Sequence, residues 1–100
     1  MEIYIIDNDV MIGMREKICL ITGANAGIGE VMAQALAKKG AHVVMLCRNL
    51  HKAEAARKNI IQTSQNKNVD VLLADLSSQH QINAVAAQFN EQYPRLDVLI

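Results

Sequence analysis

From Lys17 onward the apolar residues follow two alternating rhythms. Ile18, Cys19, Leu20 and Ile21 form a short, wholly apolar run ending in Thr22-Gly23, the pattern of a strand buried on both faces of a parallel sheet. Ile28, Met32, Ala35 and Leu36 then recur at helical spacing, Lys38 and Lys39 suit the negative end of that helix, and Gly40 is placed to stop it. Residues 41–47 read as a second buried strand. Asn49 can cap a following helix whose apolar positions are Leu50, Ala53, Ile60 and Ile61. Residues 69–74 read as a third strand, and Ser78 with Gln81 forms a candidate capping box ahead of Ile82, Val85, Ala86 and Phe89. Pro94 closes that helix, and residues 96–100 open a fourth strand.

A βαβαβαβ order with connections of a few residues requires right-handed crossovers and a parallel sheet covered by helices on both faces. The expected fold class is therefore α/β, a Rossmann-type doubly wound sheet. Val98, Leu99 and Ile100 would be left at an edge that further strands normally cover, so the sheet is expected to be truncated after its fourth strand and the chain to be part of a larger domain. Residues 17–100 make up the expected dinucleotide-binding part. Residues 1–16 carry no strong period and read as an N-terminal extension: a mobile segment, a short edge strand, or an upstream start before a natural beginning near Met14.

Composition narrows the partners. Ten lysine and arginine residues, scattered through the chain, balance ten aspartate and glutamate residues, so no basic stripe marks a nucleic-acid or membrane-surface ligand. Cys19 and Cys47 lack metal-type spacing and are too few for a disulfide framework, which favours a reduced, cytoplasmic compartment. The short apolar run in residues 1–6 lacks a basic flank and is cut off by Asp7 and Asp9, and no run approaches the roughly 20 apolar residues of a membrane span.

The turn after the first strand carries the chemistry. Gly23, Gly27 and Gly29 are spaced G-x-x-x-G-x-G, with Asn25, Ala26 and Ile28 between them, where a strand ends and a helix begins. A pyrophosphate needs backbone N–H groups converging at a helix N-terminus, approached closely enough that bulky side chains are excluded. The same glycines would also suit a tight turn that binds nothing. A triphosphate-binding loop fits poorly, because no Gly-Lys-Ser/Thr follows to supply the lysine and the magnesium-binding hydroxyl.

Thr22 through Gly29, together with Asp75-Leu76 and with Leu96-Asp97-Val98-Leu99-Ile100, resembles the short-chain dehydrogenase/reductase family. With Cys47-Arg48-Asn49 added, the wording is most similar to the retinol-dehydrogenase-like, carbonyl-reducing branches. The resemblance implies a hydride-transferring oxidoreductase acting on a small carbonyl or alcohol substrate. It also implies cofactor contacts from Gly23, Asn25, Ala26, Gly27, Ile28 and Gly29, and adenine contacts from Asp75 and Leu76. Charge bears on which cofactor is used: an acidic residue after the second strand would bond a free ribose hydroxyl and repel a 2′-phosphate, but Arg48 stands there. Its guanidinium can grip a phosphate bidentately, with Asn49 and Lys52 nearby, which favours NADP(H) over NAD(H). Arg48 could equally be a solvated surface residue, and Asp75 a helix N-cap.

Catalytic groups are expected elsewhere. The family pairs a tyrosine with a lysine four positions on, whereas Tyr4 is followed by Asn8 and Tyr93 by Asp97. The catalytic serine, tyrosine and lysine would lie beyond Ile100, so this chain alone is expected to be inactive. His42, His51 and His80 show no ligand spacing, and the two cysteines read as core residues. A homo-oligomer is compatible with the sequence. A non-catalytic nucleotide-binding or interaction module is the alternative function.

Overall fold

The computed structural model describes residues 16–24 and 27–100. Residues 1–15, read above as most of the extension, and the turn residues Asn25 and Ala26 lie outside the described residues. In chain order the elements are β1 (Ile18–Thr22), α1 (Gly27–Lys38), β2 (His42–Cys47), α2 (Leu50–Ser64), β3 (Val69–Leu73), α3 (Gln79–Gln92) and β4 (Val98–Leu99). All strands pair in parallel in the order β3-β2-β1-β4. Two crossovers therefore run outward from β1 and the third returns to its other side. That reversal is where open α/β sheets form a ligand crevice at the carboxyl ends of their strands.

Alternation along the strands divides the core between two faces. Cys19, Ile21, Val43, Met45, Cys47 and Val69 meet α1 and α2 through Ala33, Leu36, Ala37, Ala53, Ala56 and Ile60. Ile18, Val44, Leu46 and Leu72 meet α3 through Val85, Phe89 and Tyr93. The expected doubly wound α/β architecture is present. Both cysteines are buried and form no disulfide. Cys19 pairs with Val43, four residues before Cys47 in β2, an offset no disulfide could span.

Three expectations about helix faces need correction. In α1 the fully buried stripe is Ala33, Leu36 and Ala37; Ile28 is 80% exposed and Ala35 only partly buried. Met32, expected on the core face, is likewise only half-buried. The small alanines let the helix lie close to the sheet, so the larger residues of its first turns point away from it. Leu50 at the start of α2 is half-exposed and Ala86 of α3 is exposed. Ile28 and Leu50 both occupy a first helical turn, at the sheet edge where the strands have ended.

Strand ends differ slightly from the pattern. β3 stops at Leu73, and β4 is only two residues long. The approach to β4 is held largely by a side chain: the Asp97 carboxylate accepts from the Ile18 N–H at 2.8 Å and from Arg95 Nε at 2.9 Å, while its own N–H donates to the Ile18 carbonyl at 2.9 Å. At the end of α2, Gln65 takes the left-handed conformation with φ +61°, and Asn66 Nδ2 donates to the carbonyls of Ala37 and Ala41 at 2.9 and 2.8 Å. Asn66 thereby ties the end of α2 to the turn after α1.

Candidate functional site

A cleft of about 430 Å³ opens at the carboxyl ends of β1, β2 and β3. Gly23 contributes from the turn after β1. Arg48, Asn49 and Lys52 come from the start of α2, and Asp75, Leu76 and Ser77 from the turn after β3. The strand ends are tied together beneath it: Gly23 N–H donates to the Leu46 carbonyl at 3.1 Å and Ala74 N–H to the Cys47 carbonyl at 3.0 Å. Of the residues singled out from the sequence, Gly23, Arg48, Asn49, Asp75 and Leu76 all line this cleft. Gly27, Ile28 and Gly29 form the first turn of α1. Asn25 and Ala26 lie outside the described residues.

The glycines meet two different demands. Gly23 and Gly27 have φ of +66° and +60°, a region that residues with a Cβ enter only at a cost, and an added Cβ at either would meet nothing within 4 Å. The backbone is thus bare where Gly23 faces the cleft. At Gly29 the constraint is contact: an added Cβ would stand 2.5 Å from the Gly23 carbonyl oxygen. Helix α1 and the loop before it approach each other closely only because that atom is missing. Bare backbone at Gly23, the N-terminus of α1 and cationic groups on the rim of the cleft are features that a pyrophosphate-bearing ligand requires.

Arg48 and Asn49 are exposed at the start of α2. Asn49 is the N-cap, its Oδ1 accepting from the Lys52 N–H at 3.0 Å, so its carbonyl oxygen is committed to the helix and its amide is the group able to donate to a ligand. Lys52 lines the cleft one helical turn on.

Asp75 is not a helix N-cap; Ser78 is, with Oγ accepting from the Gln81 N–H at 3.3 Å. The reciprocal half of the expected capping box is also different. Gln81 Oε1 accepts from the Asp75 N–H at 2.7 Å, reaching past Ser78. Asp75 Oδ1 accepts from both the Ser77 N–H at 2.9 Å and the Ser77 hydroxyl at 2.7 Å. Those two bonds, helped by the positive charge of Arg48, hold its carboxyl below the ordinary carboxylate range. Ser77 and Gln81 were not legible as site residues, since their part depends on how one turn is wound.

A second polar cluster sits at the far edge of the cleft-bearing layer, the amino ends of β2 and β3 opposite the cleft. Asp70 Oδ2 accepts from the Tyr93 hydroxyl at 2.6 Å and lies 2.7 Å from His42 Nε2, while the His42 and Tyr93 rings meet edge to face with centroids 5.3 Å apart. Burial raises the Asp70 carboxyl, but the bonds from Tyr93 and His42 outweigh it, and the net shift is downward. Burial and the bond to Asp70 push the Tyr93 phenol upward. Tyr93 is therefore a latch between α3 and the sheet, held at the end of the strands remote from the cleft. Among the described residues no three His, Cys, Asp or Glu side chains gather as a metal site, and no helix is long and apolar enough to cross a membrane. Burial, with a contribution from Asp97, pushes the Cys19 thiol up to about 11, as befits an inert core residue.

Comparison with known proteins agrees with this geometry. Residues 17–100 match the family model for short chain dehydrogenases. The chain is 41% identical over 87 residues to human dehydrogenase/reductase SDR family member 13, and 42% identical over 84 residues to human retinol dehydrogenase 11. These alignments cover 87% and 84% of this chain but only 23% and 26% of those proteins, so the chain spans about a quarter of their length. Among solved structures it is similar to a short chain dehydrogenase of Escherichia coli CFT073 complexed with NADPH, with a TM-score of 0.80 and 28% identity over 89% of this chain and 38% of that one. It is also similar to L-sorbose reductase of Gluconobacter frateurii, complexed with NADPH and L-sorbose, with a TM-score of 0.77 and 26% identity over 86% of this chain and 32% of that one. The chain belongs to the short-chain dehydrogenase/reductase family.

Proposed function

We propose that this chain is the cofactor-binding part of an NADP(H)-dependent short-chain oxidoreductase acting on a carbonyl or alcohol substrate. The observation that carries the reading is the position of Arg48: it stands directly after β2, on the rim of a cleft it shares with Gly23 and Asp75, where an NAD(H)-selective site would hold a carboxylate. The NADPH complexes of the E. coli and Gluconobacter proteins support the choice of cofactor.

On this reading Gly23, Asn25, Ala26, Gly27, Ile28 and Gly29 hold the pyrophosphate at the N-terminus of α1. Arg48, the Asn49 amide and Lys52 take the 2′-phosphate, and Asp75 and Leu76 take the adenine. The nicotinamide, when bound, exchanges a hydride with a carbonyl or alcohol carbon. The residues of this chain named here bind and orient; among the described residues the one tyrosine, Tyr93, is latched to Asp70 at the far end of the strands and does not face the cleft. The chain of 100 residues is therefore expected to bind NADPH without oxidising it when an aldehyde is added.

The test is titration with NADPH and NADH of wild type and Arg48→Asp. A charge-assisted pair contributes about 1.5–3 kcal/mol, so wild type should favour NADPH by roughly 10- to 150-fold and the variant should lose that preference. Equal affinity of wild type for the two cofactors would sink the assignment.

A further inference from the structure

We propose that Gln81 is a positioning residue for cofactor binding, acting through Asp75; the inference rests on the reading of Asp75 as the adenine contact. The chain leaves β3 through Ala74, whose N–H makes the last bond to β2. The next N–H, that of Asp75, has passed the end of the sheet and takes its acceptor from a side chain, Gln81 Oε1 at 2.7 Å. The carbonyl of Asp75 accepts from the Ser78 N–H at 3.0 Å, and its Oδ1 accepts twice from Ser77. Backbone and side chain of Asp75 are thus fixed by three residues, Ser77, Ser78 and Gln81. Among the described residues no hydrogen bond reaches Oδ2, which is left as the acceptor for a ligand's exocyclic amine.

Gln81 differs from the other two because it lies a turn further on, in α3, and its own N–H is engaged by the Ser78 cap. It links the start of α3 to the cleft wall. Without its acceptor, the Asp75 N–H turns to water and the loop carrying Asp75 and Leu76 gains freedom that binding must remove again. The ordering costs affinity without touching the cofactor directly.

The experiment measures NADPH affinity and melting temperature for wild type, Gln81→Met, Gln81→Glu, Asp75→Ala and the double variant Gln81→Met/Asp75→Ala. Methionine keeps the length of the side chain and removes the acceptor; glutamate keeps an acceptor at the same place. A bond of this kind predicts about three- to fivefold weaker NADPH binding for Gln81→Met, within twofold of wild type for Gln81→Glu, and a smaller further loss when Gln81→Met is added to Asp75→Ala, because the backbone bond at position 75 then positions Leu76 alone. Unchanged binding by Gln81→Met, or an equal additional loss in the double variant, would overturn the clamp while leaving Asp75 as a contact. If Asp75→Ala itself binds NADPH as wild type does, the reading of Asp75 fails and the clamp falls with it. The two failures are thereby told apart.

Discussion

Replacing Gly29 with alanine adds one methyl group where α1 meets the loop leaving β1. The new Cβ would stand 2.5 Å from the Gly23 carbonyl oxygen, 3.0 Å from its carbon and 3.2 Å from Ala24 Cα. Ordinary carbon–oxygen contacts begin near about 3.3 Å, so the oxygen must retreat by roughly 0.8 Å. All three are backbone atoms, and the loop is tied down on both sides, by Thr22 N–H to the Ile100 carbonyl at 2.9 Å and by Gly23 N–H to the Leu46 carbonyl at 3.1 Å. Overpacking of this kind costs about 1–3 kcal/mol, against which the better helix propensity of alanine offsets up to about 1 kcal/mol, less in a first turn. A net loss of about 1–2 kcal/mol corresponds to a fall in Tm on the order of 10 °C for a domain this size. Thermal and urea unfolding of the Gly29→Ala chain measure it, and NADPH titration should show weaker binding because Gly23 at the cleft is what must move. A melting temperature indistinguishable from wild type would refute the packing argument.

Three smaller predictions concern parts of the fold away from the cleft. Gln65→Gly removes the cost of holding a side chain at φ +61° at the end of α2 and should raise stability by about 0.5–1 kcal/mol, read as a higher urea midpoint. Tyr93→Phe removes the donor to Asp70 and should cost about 1 kcal/mol in the same assay, leaving NADPH affinity unchanged because the latch is at the far end of the strands. The Asp70 carboxyl titrates lower folded than unfolded, so its contribution is complete above the unfolded value near about 3.9 and is lost as pH falls through that value toward the folded one. Asp70→Asn should therefore be less stable at neutral pH and lose less than wild type on acidification; parallel acid limbs would contradict this.

Much of the framework was legible because two signals agree in this chain. The apolar runs beginning at Ile18 and Val43 have the length and composition of doubly buried strands, and the caps Asn49 and Ser78 stand where the helical period starts. Side-chain period alone did not locate the buried stripe of α1, because Ala33 and Ala37 are chosen for smallness and carry little hydrophobic weight beside Ile28 and Met32. The cleft residues Arg48 and Asp75 could be found because each directly follows a strand, and strand ends converge in this topology. Gln81 could not: the S-x-x-Q spacing points to a reciprocal cap on Ser78, and only the winding of the turn carries its oxygen to Asp75 instead. The latch of His42, Asp70 and Tyr93 joins residues 23 to 51 positions apart, through strand register and the length of α3, which no local pattern encodes.

Binding of NADP(H) in the cleft at the carboxyl ends of β1, β2 and β3 is open to amide chemical-shift mapping by NMR during an NADPH titration. Saturable shifts are expected at Gly23, Gly27, Gly29, Arg48, Asn49, Asp75 and Leu76, with His42, Asp70 and Tyr93 undisturbed at the far edge. Absence of saturable shifts, or shifts centred on the far edge, would contradict binding in the cleft.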